Sequence, residues 1–192
     1  MTDYSQPDFY RFNQDSLKLV KWVSTKVSKA SQLLDLGAGC GIIGIELANI
    51  LRPDKLSLLE AQMDFFPHLQ SNIKTQLKPQ ILVEVVNESF GKWSPEKKYD
   101  LITCNPPYFL PGRGEPYKDS RRELARSFVL DNWKIFFETV DKAMTESGQA
   151  FLVVKDDSVI LDTIRKNNQL FDLQVFEESN LAFLELSRLN KN

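Results

Sequence analysis

Two stretches of this chain carry residue types that can do chemistry at a fixed spacing. The first is LLDLGAGCGIIGIELA (33–48), where an apolar run meets Asp35, then Gly37, Gly39 and Gly41, before a helical pattern begins. Glycines in such a turn let the backbone reverse sharply and let a ligand lie against it with no Cβ in the way. The helix that follows points its free N–H groups at that ligand. The second stretch is Asn105-Pro106-Pro107-Tyr108, directly after YDLITC (99–104). Two consecutive prolines donate nothing to a ladder and pin the backbone, so an Asn is held rigidly at a strand end, where open α/β sheets bind ligands.

The glycine turn alone leaves two cofactor classes open. Gly39-x-Gly41-x-x-Gly44 matches the dinucleotide fingerprint, and Glu60, 19 residues beyond Gly41, stands where a ribose-binding acid belongs. The distinguishing residue is Asp35, two positions before the first glycine of a G-x-G-x-G run. The run D-L-G-A-G-C-G resembles the first motif of class I S-adenosylmethionine-dependent methyltransferases. YDLITCNPPY resembles the fourth motif of amino-methyltransferases with the (D/N/S)-P-P-(Y/F) signature, and the two motifs stand in the right order about 70 residues apart.

The resemblance implies S-adenosylmethionine as cofactor. Asp35, Gly37, Ala38, Gly39 and Gly41 would hold its methionine part, which has an amine and no pyrophosphate; an amine wants an acceptor, a pyrophosphate only donors. Glu60 would accept hydrogen bonds from both ribose hydroxyls. Ser89, beside Glu88, stands where the family commonly has Asp at the adenine, and Phe90 would pack on the adenine face. Asn105 would face cofactor and substrate together. Catalysis would fall to Asn105, Pro106 and Tyr108. An exocyclic amine or amide nitrogen is a poor nucleophile because its lone pair is delocalised. Acceptors on its N–H groups, here Asn105 Oδ1 and the Pro106 carbonyl, pull it towards a tetrahedral geometry and stabilise the developing positive charge. Tyr108 would stack on the planar substrate, with Pro107, Phe109 and Arg122 also on the substrate side.

Adenine N6, guanine N2 and the glutamine amide all suit such a site. Two further stretches favour the first. FYRFNQDSLKLVKWV (9–23) carries F-x-x-D-S-x-x-L, and SRRELAR (120–126) follows the proline motif; both resemble the tRNA1(Val) (adenine-N6)-methyltransferase family. That resemblance implies adenine in tRNA or other RNA as substrate, a cofactor lid shaped by Phe12 and Asp15, and Arg122 and Glu123 near the substrate mouth. Residues 111–126 carry five basic and three acidic side chains, a local +2 suited to phosphate contacts. The alternatives are a glutamine-amide (release factor) or guanine-N2 (rRNA) methyltransferase and, from other classes, a non-catalytic cofactor-binding module or an NAD-dependent oxidoreductase. The oxidoreductase accounts for Gly39, Gly41, Gly44 and Glu60 but not for Asp35 or the proline motif.

The elements that must position these residues alternate. Helical periodicity over 13–29, with Leu17, Val20, Val23 and Val27 on one face, precedes strands at 31–36, 55–60, 80–86, 99–104 and 148–155. Helices at 42–51, 61–75, 130–144 and 158–167 separate them, with Pro67 an uneasy fit in the second. Two last strands joined by Ser179-Asn180 read as a hairpin. The expectation is an α/β, doubly wound, mostly parallel seven-stranded sheet with a C-terminal antiparallel hairpin, the Rossmann-like methyltransferase fold. One domain spans 1–192, with a helical lead-in at 1–30 and a substrate-side loop at 109–127.

Bulk properties narrow the classes further. At 192 residues and 42% hydrophobic the chain fits one core. A net charge of −2 argues against a generally basic nucleic-acid binder, so RNA contact must rest on a local patch. Cys40 and Cys104 form no C-x-x-C pair, and His68, the single histidine, reads as a solvated helix residue, so no metal site is expected. The N-terminus lacks the pattern of a signal peptide and no apolar run approaches ~20 residues, so the expected location is cytoplasmic, with no membrane partner.

Overall fold

The computed structural model describes residues 3–12, 14–107, 119–125 and 129–189. Seven strands form one sheet: β1 (Gln32–Leu36), β2 (Lys55–Leu59), β3 (Leu82–Val86), β4 (Tyr99–Cys104), β5 (Met144–Lys155), β6 (Phe171–Glu178) and β7 (Leu181–Arg188), in the order β3-β2-β1-β4-β5-β7-β6. Pairing is parallel except around β7, which runs against both β5 and β6. The expected fold class is therefore the observed one. The chain winds outwards from β1 in one direction and from β4 in the other. A crevice consequently opens beyond the C-terminal ends of those two strands, which pair with Asp35 opposite Thr103 and Leu36 opposite Cys104.

Helices cover both faces. On one side α1 (Gln14–Lys26), α2 (Ile42–Leu51) and α3 (Phe66–Gln76) bury Leu19, Val23, Leu47 and Leu69 against Leu33, Leu56, Leu58 and Leu101. On the other, α5 (Trp133–Ala143) and α6 (Ser158–Asn167) bury Phe136, Phe137, Val140, Leu161 and Ile164 against Leu34, Leu36, Ile102 and Leu152. Consecutive strand residues such as Leu33 and Leu34 thus feed opposite cores. That is why these strands read as unbroken apolar runs rather than alternating ones.

Several local expectations change. The inward stripe of α1 is Ser16, Leu19, Val20 and Val23, while Leu17 is 39% exposed. The phase is set by Leu19 and Val20 fitting the sheet, which turns Leu17 outwards. Pro67 proves comfortable: a 3-10 turn (Met63–Phe65) precedes α3, and the proline sits in the first turn of that helix, where a missing N–H costs nothing. The loop expected over 109–127 contains a short helix, α4 (Ser120–Leu124), whose cap Asp119 accepts from Arg121 N. Helix α5 begins at Trp133 rather than near 130, because Asn132 caps it by accepting from Ile135 N at 3.0 Å. Among the described residues no helix is long and apolar enough to cross a membrane.

Candidate active site

A cleft of about 860 Å³, open mouth included, lies at the switch point. Its floor is the glycine turn, its sides come from Glu60–Gln62 and Ser89-Phe90, and Asn105 and Pro107 stand opposite. Tyr10, Phe12 and Ser16 close it from the N-terminal side; Leu124, Ala125 and Val129–Asp131 form the outer lip.

The turn that builds the floor is held by two acids. Gly37, Gly39 and Gly41 have φ of 68°, 54° and 82°, a region that costs an L side chain strain. Glu60, 6% exposed, accepts from Gly39 N and from Gln62 N, both at 2.8 Å, one through each carboxylate oxygen. Asp35, 1% exposed, accepts from Gly44 N at 2.9 Å and from Thr103 Oγ1 at 3.0 Å. Burial pushes both carboxyls above the usual carboxylate range, Asp35 to about 7, although their hydrogen bonds pull the other way. Beside them, burial and the Glu60 charge drive the Cys40 thiol up to about 12, and Cys104 is raised as well, so neither thiol offers a thiolate nucleophile.

The residues expected at a cofactor separate into two groups. Gly37, Ala38, Gly39, Glu60, Ser89, Phe90 and Asn105 line the cleft, as does Pro107 from the substrate set. Asp35 and Gly41 do not. The oxygens of Asp35 are taken by α2 and β4, so it braces the turn from behind. A Cβ on Gly41 would lie 2.5 Å from Leu69 Cδ1, so that glycine serves the packing of α3. Pro106 is buried beneath the surface, and Arg122 is not among the described residues at the cleft. Tyr108 and Phe109 lie outside the described residues. Of the expected lid pair, Phe12 lines the cleft and Asp15 does not; the next residue, Ser16, faces inwards instead and accepts from Asn105 Nδ2 at 3.2 Å.

Sequence reasoning missed how the cleft is closed. Phe9 and Tyr10 pack edge-on against buried Phe65, with ring centroids 5.4 and 5.5 Å apart. Asn72, fully buried, accepts from Ser5 N and donates to the carbonyls of Ser5 and Cys40, tying the N-terminal segment to the glycine turn. His68 is drawn into the same anchor, 2.7 Å from Ser5 Oγ, rather than lying solvated. On the outer lip Asp131 accepts from Phe90 N and Gly91 N at 3.0 Å, a long-range pairing with no local signature. Arg121 sits over the Phe9 ring and pairs with Asp119, Asp64 and Asp8, so part of the local basic charge is spent inside the protein.

The chemistry of the lining discriminates between ligands. Among the described residues the cleft holds the carboxyls of Glu60 and Asp131 and no Lys, Arg or His. An N–H of the first turn of α2 that a pyrophosphate would use, that of Gly44, is already given to Asp35. A doubly anionic pyrophosphate would therefore meet like charge, whereas a cationic ligand carrying hydroxyls and an amine meets acceptors. Among the described residues no group of three or more His, Cys, Asp or Glu is arranged to hold a metal.

The family model for the methyltransferase small domain matches residues 11–170. The chain is 28% identical over 131 residues to the tRNA1(Val) (adenine(37)-N6)-methyltransferase of Glaesserella parasuis, covering 68% of this chain and 54% of that protein. It is 28% identical over 188 residues to the protein of the same name from Aeromonas hydrophila, covering 92% and 77%. The chain spans 54% to 58% of the length of the Glaesserella and Histophilus somni relatives it matches. Among solved structures it superposes on the T. thermophilus 16S rRNA N2 methyltransferase in complex with AdoMet and guanosine with a TM-score of 0.68 at 17% identity, covering 93% of this chain and 44% of that one. At that identity the likeness is one of fold. The family match takes in the glycine turn, Glu60 and the proline motif together, and by it this chain belongs to the methyltransferase small domain family.

Proposed function

We propose that this chain is an S-adenosylmethionine-dependent N-methyltransferase acting on the exocyclic N6 amine of adenine in tRNA or other RNA. One observation carries the reading. At the mouth of an acid-lined cleft, Asn105 has its Nδ2 engaged by Ser16, while its Oδ1 accepts no hydrogen bond from the described residues. The names of the relatives and the F-x-x-D-S-x-x-L stretch support adenine and tRNA in particular. We read the chain as one catalytic domain working where tRNA is found, in the cytoplasm.

Bound S-adenosylmethionine supplies an electrophilic methyl group on a positively charged sulfur. Glu60 has one lone pair on each oxygen left after holding Gly39 and Gln62, enough to accept from two ribose hydroxyls. Phe90 and Ser89 provide the adenine wall, and the backbone at Gly37–Gly39 lies against the methionine part. The field of Glu60 and the buried Asp35 favours a cation in the cleft. On the substrate side Asn105 Oδ1 and the Pro106 carbonyl accept from the target amine, and Pro107 with Tyr108 bounds the planar base. The amine needs no base beforehand, because its proton can leave after methyl transfer.

Two measurements test this. Titration calorimetry should show S-adenosylmethionine or S-adenosylhomocysteine binding and none for NAD; tight NAD binding would overturn the cofactor assignment. Purified protein with labelled S-adenosylmethionine and total tRNA should yield N6-methyladenosine on nucleoside mass spectrometry. A product at guanine N2, or at a release-factor glutamine with tRNA untouched, would overturn the substrate.

A further inference from the structure

The two ends of an Asn amide match in shape and are opposite in hydrogen-bonding character. For an amine nucleophile only the orientation with Oδ1 towards the reacting nitrogen helps; the flipped amide sets N–H against N–H. A rigid strand end fixes where Asn105 is but not which way its amide faces. That choice is made from another element, because Nδ2 donates to Ser16 Oγ at 3.2 Å across 89 positions of sequence. Ser16 is 6% exposed and stands at the start of α1, whose Leu19 and Val23 are both 0% exposed in the core beneath. Its hydroxyl is therefore held in place by the packing of the whole helix.

We propose that Ser16 is a positioning residue that locks the Asn105 amide with its oxygen towards the target amine. This rests on the methyltransferase reading above. Because that hydroxyl accepts the Nδ2 hydrogen, a flip of the amide breaks the hydrogen bond and brings two acceptors together. Helix α1 thereby joins the catalytic machinery, although no group on it needs to touch the reacting atoms.

The test is Ser16→Ala and Ser16→Thr, each in the native, Asn105→Asp and Asn105→Ala backgrounds. In the native background Ser16→Ala should lower kcat for tRNA methylation about tenfold, the scale of one neutral hydrogen bond. KM for S-adenosylmethionine should stay within about twofold, and Ser16→Thr, which keeps the hydroxyl, should retain most of the rate. With Asn105→Asp the two oxygens are equivalent, so Ser16→Ala should cost far less; with Asn105→Ala it should cost nothing further. An unchanged kcat, or the same loss in every background, overturns the proposal. A second readout needs no RNA. In the S-adenosylhomocysteine complex the Asn105 side-chain amide signals, assigned by their loss in Asn105→Ala, should exchange slowly with water and become fast in Ser16→Ala. If tRNA is not methylated while this dependence holds, the methylation reading fails and the amide lock stands. If tRNA is methylated and neither readout moves, the lock fails alone.

Discussion

Asp35 was expected to receive an amine and instead holds Gly44 N and Thr103 Oγ1, buried to 1% exposure. Its carboxyl is raised from 3.8 to about 7, chiefly by loss of solvation. Between those values the folded protein holds a proton that the unfolded chain has released, so stability is full on the acid side and falls as pH rises through about 7. Thermal unfolding should therefore show the native protein less stable at pH 7.5 than at pH 5 by on the order of 1–3 kcal/mol. Asp35→Asn keeps an acceptor for Gly44 and a donor for Thr103 without the charge, and should flatten that dependence. Asn105 belongs to the transition state instead. Asn105→Ala should lower kcat at least ~10²-fold in a tRNA methylation assay and leave cofactor affinity nearly unchanged in calorimetry. Asn105→Asp, which keeps an acceptor oxygen, should retain measurable turnover in the same assay.

At the scale of elements, α2 places the glycine turn and ends on an unusual residue. Arg52 caps its C-terminus with φ 51° and ψ 60° while its N–H reaches Ala48 O at 3.0 Å. Glycine takes this left-handed position without strain, and Pro53 then prevents the helix from continuing. Arg52→Gly should stabilise the protein by about 0.5–1 kcal/mol in chemical denaturation, with relief of strain exceeding the added freedom of the unfolded chain. Loss of stability in that variant would mean that the Arg52 side chain contributes more than its exposed position suggests. The strand boundaries at 32–36, 55–59 and 99–104 were legible because these strands are apolar on both faces and stop at glycine, a solvated turn or proline. The face of α1 was misread at Leu17, since helical periodicity gives a stripe but not the phase at which that stripe docks.

Across the whole molecule the cleft is closed by segments far apart in sequence. Residues 3–12 run over the glycine turn and are fixed there by Asn72, whose side chain bonds both backbone groups of Ser5 and the carbonyl of Cys40. Helix α4 lies on the same strap through Arg121, stacked over Phe9. Asn72→Ala removes all three Asn72 bonds and leaves a buried carbonyl unpaired, a cost of about 1–3 kcal/mol. Hydrogen exchange over residues 4–12 should accelerate in this variant, and S-adenosylhomocysteine should bind more weakly although no residue at the ligand has changed. Unaltered exchange would show that the aromatic contacts on Phe65 hold the strap by themselves.

What the sequence determined by itself was local: apolar runs that must be buried strands, a glycine turn whose φ values only glycine adopts without strain, and a double proline that ends β4 with Asn105 displayed. These follow from covalent geometry and hydrophobic burial within short windows, so they are written in the order of residues. The tertiary structure decided which of those residues reach the ligand. Asp35 turned away because Gly44 and Thr103, 9 and 68 positions off, consume its oxygens. Ser16, Asp131 and Asn72 entered because parallel strands bring distant ends together, and a hydrogen bond spanning tens of residues leaves no periodicity to read.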